Sequence, residues 1–320
     1  MNNILILLIS ILTIQVSAQM FPINGGWIDS TGNIIECSEC DSTMFSETNV
    51  ARYIKKGKWE FYNSDIRIWY ATDYDYLSEF TNGLAVVKIK DSWKVIRLDK
   101  STVADIKCHY AYGFSEGFAR FQLGNRFGFV DENGKVVIDA KYYGAFDFSD
   151  GLARVYDGNK WGYINAKFEV VIPFDFDYSS NFADNRAVVG KIQKGVEKWA
   201  VVDLSGKIIY DWSTDYVFPF SEGKALVRKG SYFNGELKFI STSGSIVLST
   251  GLKDCYSFND GLACGYYEGK WGFFNDKGMT IVNHKYDWPS SFKLGLALVS
   301  ENEVNKYINR TGDVIWSEDQ

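Results

Sequence analysis

Paired carboxylates are the first residues in this 320-residue sequence that suggest chemistry. Asp73-Tyr-Asp75 and Asp175-Phe-Asp177 each place two acidic side chains close together in a segment between predicted strands. Two carboxylates about 5–10 Å apart can serve as the acid and base of a glycosidase, and carboxylate oxygens also bind calcium. The alternative, which we favour, is a solvated linker whose aspartates accept hydrogen bonds from turn amides.

The cysteines and histidines are too few to suggest a metal site or a catalytic triad. Cys37-Ser-Glu-Cys40 is a single C-x-x-C pair, and a zinc site would need two more ligands nearby. In an exported chain such a pair predicts a disulfide or free thiols. The two histidines, His109 and His284, have different local contexts and cannot by themselves form a catalytic triad or a three-histidine site. We therefore expect no metal and no cofactor.

A serine motif also has a simpler explanation. Gly113-Phe-Ser115-Glu-Gly117 matches the G-x-S-x-G pattern of a nucleophile elbow, which requires a strand followed by a helix. The tetrapeptide Phe-Ser-Glu-Gly within this motif recurs as "FSDG" from residue 148 and "FSEG" from residue 220. We therefore predict that Ser115 is a turn residue of a repeat and not a nucleophile.

The repeat is marked by phenylalanines spaced 34–38 residues apart. A fixed period in this range is typical of a solenoid, a propeller or another array. The residue pattern of each repeat unit predicts three antiparallel strands, which in the fourth unit are "LARVY", "KWGYIN" and "EVVIP". The anchors are Phe45, Phe80, Phe114, Phe148, Phe182, Phe220, Phe258 and Phe292.

The turn between the second and third predicted strands is the most regular feature. It opens with Asp, Asn or Ser and closes with Gly, which suits a type I turn followed by a bulge residue with positive φ. Phe168 takes the closing position in the fourth unit, where positive φ would be strained, so we expect a different loop there. The closing glycines include Gly134, Gly206, Gly278 and Gly312.

A Trp-Gly pair opens the second predicted strand of several units. A strand tryptophan buries a large surface, and a strand glycine lets a neighbouring chain approach closely. The tryptophans could pack between repeats or form an exposed ladder that binds sugar rings or peptide. The pair stands at Trp161-Gly162 and Trp271-Gly272, with the variants Phe127-Gly128, Trp199-Ala200 and Trp59-Glu60.

The order of "GLA" strand, Trp-Gly pair and turn resembles the WG-repeat family of bacterial proteins over roughly residues 25–315. This resemblance implies an exported or cell-envelope β-repeat protein that binds a partner and has no assigned reaction. It also suggests Trp161, Trp271, Trp199 and Trp59 as candidate binding residues. In this interpretation Gly162, Gly272 and Gly128 are structural.

The N-terminus predicts a signal peptide over residues 1–18. Ile4–Ile14 is an apolar run and Val16-Ser17-Ala18 suits cleavage, so Gln19 would be the first mature residue. An uncleaved anchor is the alternative, although the run is short for a membrane span. We expect no membrane span in the mature chain.

The predicted fold is all-β, with a half repeat and linker over 19–44 and eight three-stranded repeats over 45–320. "GGWIDSTGNII", residues 25–35, matches only the second and third strands of a unit. Because the last unit already has its three strands, this half repeat is expected to cap an open solenoid. A closed β-propeller is the alternative.

Charge and composition narrow the functional classes. The formal net charge is −6 and no basic run is longer than Lys55-Lys56, so we expect no nucleic-acid partner. The sequence predicts an exported, non-enzymatic binding or scaffold protein in the periplasm, at the outer membrane or outside the cell. Its partner would be an envelope protein or glycan. The alternative is an envelope glycan hydrolase that uses the linker carboxylates.

Overall fold

The computed structural model describes residues 20–37, 39–44, 49–230 and 235–319. Strands in these ranges form nine antiparallel sheets, which we call blades 1 to 9 in chain order. Blade 1 has three strands and each of the other eight has four. The predicted signal peptide and the first anchor, Phe45, lie outside the described residues.

The strands follow one another in space as they do in sequence. Blade 1 is made of Met20–Ile23, Gly26–Asp29 and Ile34–Glu36. The first strands of blades 2 to 9 are Ser42–Thr43, Tyr76–Leu77, Tyr110–Ser115, Gly144–Ala145, Tyr178–Ser179, Tyr216–Val217, Asp254–Cys255 and Trp288–Pro289. The second strands are Val50–Lys55, Leu84–Ile89, Phe118–Leu123, Leu152–Tyr156, Arg186–Gln193, Lys224–Arg228, Ala263–Tyr267 and Leu296–Glu301.

The outer half of each blade is built in the same way. The third strands are Lys58–Asn63, Ser92–Arg97, Arg126–Asp131, Trp161–Asn165, Val196–Asp203, Leu237–Ser241, Lys270–Phe274 and Val304–Asn309. The fourth strands are Ile68–Tyr74, Thr102–Ile106, Val136–Tyr142, Val170–Phe176, Ile208–Ser213, Ile246–Ser249, Thr280–Tyr286 and Val314–Ser317. Fourth strands begin with exposed β-branched side chains, so this edge of each blade faces outward.

The anchor phenylalanines lock each blade onto the one before it. The Phe148 ring of blade 5 lies 4.9 Å from that of Phe118 and 5.3 Å from that of Phe129, both in blade 4. Phe182 of blade 6 packs in the same way on Tyr163 of blade 5, at 4.9 Å. A blade therefore completes its core only with its neighbour, as expected for a repeat architecture.

The first and last blades close the array into a ring. Phe21 and Ile28 of blade 1 share a buried cluster with Leu296 and Tyr307 of blade 9. The Tyr307 hydroxyl donates a hydrogen bond to the Pro22 carbonyl oxygen at 2.9 Å. On its other side, blade 1 packs against blade 2 through a second cluster that contains Met20 and Trp27. The fold is therefore a nine-bladed β-propeller.

Two predictions about the fold are wrong. The open solenoid is incorrect because the N-terminal segment is not a cap: Met20–Ile23 adds a first strand to the half repeat, and the resulting blade fills the gap between blades 9 and 2. The repeat is also four-stranded and not three-stranded. Its short first strand lies in the segment that was predicted to be a linker, as at Tyr178–Ser179.

The predicted turn recurs, and it includes the unit in which a different loop was expected. Gly134, Gly206, Gly278 and Gly312 have φ values of 73°, 84°, 77° and 90°. Phe168 has φ 67°, and its amide donates to the Asn165 carbonyl oxygen at 2.8 Å, as Gly134 does to Asp131. The prediction for Phe168 is therefore wrong. Its ring packs edge-on against Phe118 of blade 4, a contact that offsets the backbone strain.

Candidate binding surface

The linker carboxylates mainly hold the backbone in place. Asp177 accepts the Ile192 amide on Oδ2 at 2.8 Å and the Lys160 ammonium on Oδ1 at 2.6 Å. Asp75 has the same two kinds of partner, the Lys90 amide and the Lys58 ammonium. Hydrogen bonding to these lysines lowers the pKa of both carboxyl groups. A general acid needs a raised pKa, so this geometry does not favour the glycosidase hypothesis.

The tryptophans of the Trp-Gly position are half-buried between aromatic neighbours. The Trp199 ring stacks on Tyr178 of its own blade at 5.4 Å and meets Tyr216 of the next blade edge-on at 4.9 Å. Trp161 contacts Tyr156 at 5.1 Å and Phe146 at 5.8 Å. Their rings therefore pack within and between blades.

Trp271 and Trp59 have comparable surroundings. Trp271 lies 4.9 Å from Tyr256 and 5.3 Å from Tyr266, and Trp59 lies 6.3 Å from Tyr76 of blade 3. The four candidate tryptophans belong to four different blades, 5, 8, 6 and 2. Packing covers most of the surface of each of these side chains.

The glycine after the tryptophan accommodates a bulge in the fourth strand. Trp161 and Tyr163 pair with Phe176 and Ile172, so a step of two residues on one strand opposes a step of four on the other. A Cβ on Gly162 would lie 2.8 Å from the Ile172 carbonyl oxygen; the distances at Gly272 and Gly128 are 2.6 Å to Val282 and 2.4 Å to Ile138. Blade 2 makes the same shift with Glu60, so glycine eases the bulge without being essential to it.

Sequence analysis missed a set of aromatic rings that recurs in five of the blades. They occupy the first position of the first strand, four residues before the anchor phenylalanine. Tyr110 is 57% exposed, Tyr178 38% and Trp288 44%. Tyr76 and Tyr216 take the same position and are half-buried. We call these five residues the aromatic row. An aromatic residue stands four before five of the eight anchors, and this recurrence was the signal that could have revealed the row.

A column of stacked cations and rings runs beside the aromatic row. The Arg120 guanidinium lies 3.7 Å from the Tyr112 ring, and that of Arg154 lies 3.5 Å from Phe146. Arg120 donates to the Ala145 carbonyl oxygen of the next blade at 3.0 Å and pairs with Asp147 at 2.7 Å. Burial lowers the pKa of Arg154. These arginines tie neighbouring blades together.

The G-x-S-x-G serine is also a link between blades. The Ser115 hydroxyl donates to the Phe148 carbonyl oxygen at 2.7 Å, and Ser149 makes the equivalent bond to Phe182 at 2.6 Å. The next residue of the motif, Glu116, accepts the Gly151 amide of the following blade at 2.9 Å. Ser115 therefore ends the first strand of blade 4, directly before a hairpin turn, and has the partners of a structural residue.

The family is established by a sequence match. The family described as "WG containing repeat" matches residues 61–93, 96–127, 127–161, 161–191, 199–233 and 271–307, more than half of the chain. This chain belongs to the WG-repeat family. The resemblance inferred from the Trp-Gly pairs is thus confirmed. No curated protein matches the sequence.

Solved structures resemble this WG-repeat protein in fold alone. A crystal structure of a eukaryotic initiation factor superposes with a TM-score of 0.66 at 11% identity, covering 94% of this chain and 96% of that one. The whole ring is shared, which again contradicts the open solenoid. Apo AztD from Citrobacter koseri gives 0.44 at 12% identity over 94% and 95% of the chains. Hsv2p from Kluyveromyces lactis gives 0.42 at 11% over 73% and 92%.

The cysteines of the WG-repeat protein fall into two groups. Cys37 and Cys40 are joined by a disulfide just after blade 1. Cys108, Cys255 and Cys264 are free, and burial raises the pKa of each thiol. In the described ranges, His, Cys, Asp and Glu side chains form no group of three or more that could hold a metal ion. No helix in the described part of the chain is long and apolar enough to cross a membrane.

Proposed function

We propose that the mature chain is an exported binding or scaffold protein that contacts an envelope protein through its aromatic row. The observation that carries this proposal is the exposure of Tyr110, Tyr178 and Trp288 at equivalent positions of blades 4, 6 and 9. Tyr and Trp are enriched at the centres of protein interfaces, where their large rings bury area at low entropic cost. A surface repeated around a ring suits a large partner.

Electrostatics supports the same proposal. Lysine–aspartate pairs lie just before the first strands of blades 3, 6 and 9, at Lys58–Asp75, Lys160–Asp177 and Lys270–Asp287. Their charges are mutually compensated, so the surface around the aromatic row combines apolar rings with a polar rim. This combination is typical of interfaces between proteins that also exist separately. A glycan partner is the alternative, because exposed rings also suit sugar faces.

The test compares two sets of three substitutions in the mature chain. Tyr110→Ser, Tyr178→Ser and Trp288→Ser remove exposed rings from the aromatic row. Ile34→Ser, Val170→Ser and Ile246→Ser remove three side chains that are at least half exposed, from the outer edges of blades 1, 5 and 7. Capture of partners from envelope fractions should be lost with the first set and kept with the second. Capture that survives the first set overturns the proposal.

The same variants separate protein from glycan partners. On a glycan array, binding by the wild type that disappears with the first set would show that the aromatic row binds glycan. Trp199→Ala is the contrasting change, because this ring is enclosed by two tyrosines. It should lower the free energy of unfolding by about 3 kcal/mol, measured by urea denaturation. Loss of less than about 0.5 kcal/mol would contradict the packing assignment.

Export is tested on the N-terminus itself. We propose cleavage after Ala18, so the exported protein should begin at Gln19 in N-terminal mass spectrometry, either free or cyclised. A membrane-bound species that retains Met1 would contradict this proposal.

A further inference from the structure

A cavity opens where blades 9, 1 and 2 meet. Its volume is about 380 Å³, and Asn24, Asp41, Ser42, Asn305, Trp316 and Glu318 are among the residues that line it. This volume lies in the range of small-molecule sites, about 300–1,000 Å³. The cavity is distinct from the exposed rings of the aromatic row, since Tyr110, Tyr178 and Trp288 do not line it.

The cavity exists because the repeat departs from its own pattern here. In blades 9 and 1, Asn305 and Gly25 occupy the position that the tryptophan of the Trp-Gly pair has in other blades. The Asn305 carbonyl oxygen accepts the Glu318 amide at 2.9 Å, and that of Gly25 accepts the Cys37 amide at 2.7 Å. Both donors directly follow the outer strand of their blade. Ser42 stands where the aromatic row has tyrosine or tryptophan. Three positions that are large and aromatic in most other blades are therefore small or polar at this junction.

A lysine of the repeat is also missing from this junction. Asp75, Asp177 and Asp287 each have a lysine partner 17 residues earlier, which reaches Oδ1. The residue 17 before Asp41 is Asn24. Asp41 keeps the other contact of its equivalents, since its Oδ2 accepts the Gly57 amide at 3.1 Å. Within the described residues, no lysine or arginine lies within 4 Å of the Asp41 carboxylate, and its Oδ1 accepts no hydrogen bond.

The remaining polar groups of the cavity are mostly acceptors. The Glu318 carboxylate already accepts the side-chain amides of Asn24 at 3.0 Å and Asn305 at 2.9 Å, which turns the amide nitrogens away from a ligand. The lining contains no lysine or arginine, and the rings of Trp316 and Tyr307 add aromatic surface that attracts cations.

We propose that this cavity binds a small molecule that carries a protonated primary amine. The ammonium takes the place of the missing lysine beside Asp41, where three hydrogens can reach Asp41 Oδ1 and neighbouring acceptors such as the Ser42 hydroxyl. The body of the ligand occupies the space left by the absent aromatic rings, against Trp316. This inference concerns a separate site and does not depend on the partner proposed for the aromatic row.

The experiment titrates the mature chain with four small molecules and measures the binding of each by saturation-transfer NMR. Glucosamine and ethanolamine carry the ammonium, whereas N-acetylglucosamine and glucose do not. Both amines should bind saturably, and the two neutral sugars should bind at least about tenfold more weakly, because the charge-assisted contact to the Asp41 carboxylate is lost. Equal binding of glucosamine and N-acetylglucosamine, or no saturable binding of either amine, overturns the proposal.

Three variants locate the site. Asp41→Asn should weaken glucosamine binding at least about tenfold. Asn24→Lys restores the lysine of the repeat; it should abolish amine binding and keep or raise the melting temperature, which shows that the chain is folded. Asp139→Asn removes an exposed charge from blade 4 and should leave binding unchanged. Undiminished binding by the folded Asn24→Lys variant contradicts the site.

Discussion

At the scale of single residues, the glycine of the Trp-Gly position is a place where one added methyl group should matter. In blade 4 a Cβ on Gly128 would lie 2.4 Å from the Ile138 carbonyl oxygen and 2.9 Å from the Ala140 amide nitrogen. Both atoms belong to the backbone of the bulged fourth strand, so relief requires the strand to move. We expect Gly128→Ala to cost about 1–3 kcal/mol of unfolding free energy.

The matched control for this prediction is another glycine outside the left-handed region. Gly251 has no positive φ, and no heavy atom lies within 4 Å of the position that a Cβ would take there. Gly251→Ala should therefore change stability by less than about 0.5 kcal/mol. Urea denaturation of both variants measures the difference. Equal stability of the two variants would show that the Trp-Gly glycine has no steric purpose.

Some features of single residues could be predicted from the sequence, and others depend on contacts that the sequence does not reveal. The turn glycines were predictable because positive φ favours glycine, and Ser115 could be assigned to a turn because its motif recurs. Phe168 was not predictable, because the contact that offsets its strain comes from Phe118 in another blade. Tyr178 and Trp199 are both strand aromatics, and only the packing of blades distinguishes the more exposed ring from the enclosed one.

At the scale of elements, lysine–aspartate pairs connect the start of the third strand in blades 2, 5 and 8 to the segment that leads into the next blade. Lys160 is next to Trp161, and Asp177 stands between the fourth strand of blade 5 and the first strand of blade 6. Asp177 also fixes the hairpin that follows, through the Ile192 amide. One carboxylate therefore positions two elements.

These pairs predict a specific dependence of stability on pH. Hydrogen bonding to lysine lowers the folded-state pKa of Asp75, Asp177 and Asp287 below the unfolded value, which is about 3.9. Between those values the unfolded chain binds more protons. The stability contributed by the pairs is thus fully present above about pH 4 and is lost as pH falls through the folded pKa values.

The measurement is the urea midpoint as a function of pH. A variant with all three aspartates changed to asparagine should lose stability less steeply below about pH 4 than the wild type. Changing Lys58, Lys160 and Lys270 to methionine should flatten the curve in the same way, because it removes the other half of each pair. Curves parallel to the wild type in both variants would show that the pairs contribute nothing.

Short strands were the elements that sequence patterns could not identify. A first strand such as Gly144–Ala145 makes only two ladder pairs before the backbone leaves register, too few for visible alternation. The second, third and fourth strands have longer ladders and clear turns between them, and they were predicted. The aromatic row lies on the first strands, four of which have only two residues, and sequence analysis therefore selected the tryptophans of the third strands instead.

At the scale of the whole molecule, closure depends on contacts between residues nearly 300 positions apart. The N-terminal half repeat had no unfinished unit to complete, and from sequence this favoured a cap. The structure shows that this segment forms a separate blade and does not extend the sheet of another. Blade 1 lies between blades 9 and 2 and packs against each of them through a buried cluster. Such a packing interface leaves no periodic signal. The cavity at the same junction is a second consequence of this closure.

The closed ring is tested most directly by the distance between its first and last blades. Spin labels on Ile34→Cys and Val314→Cys occupy equivalent outer positions of blades 1 and 9, and labels on Val136→Cys and Val170→Cys occupy the same positions of blades 4 and 5. Cys108→Ala removes the half-buried thiol from the chain that carries either pair of labels. Electron–electron dipolar spectroscopy should give the same short distance for both pairs. An open array of nine sheets stacked about 10 Å apart would separate residues 34 and 314 by roughly 80 Å, and that result would contradict the propeller.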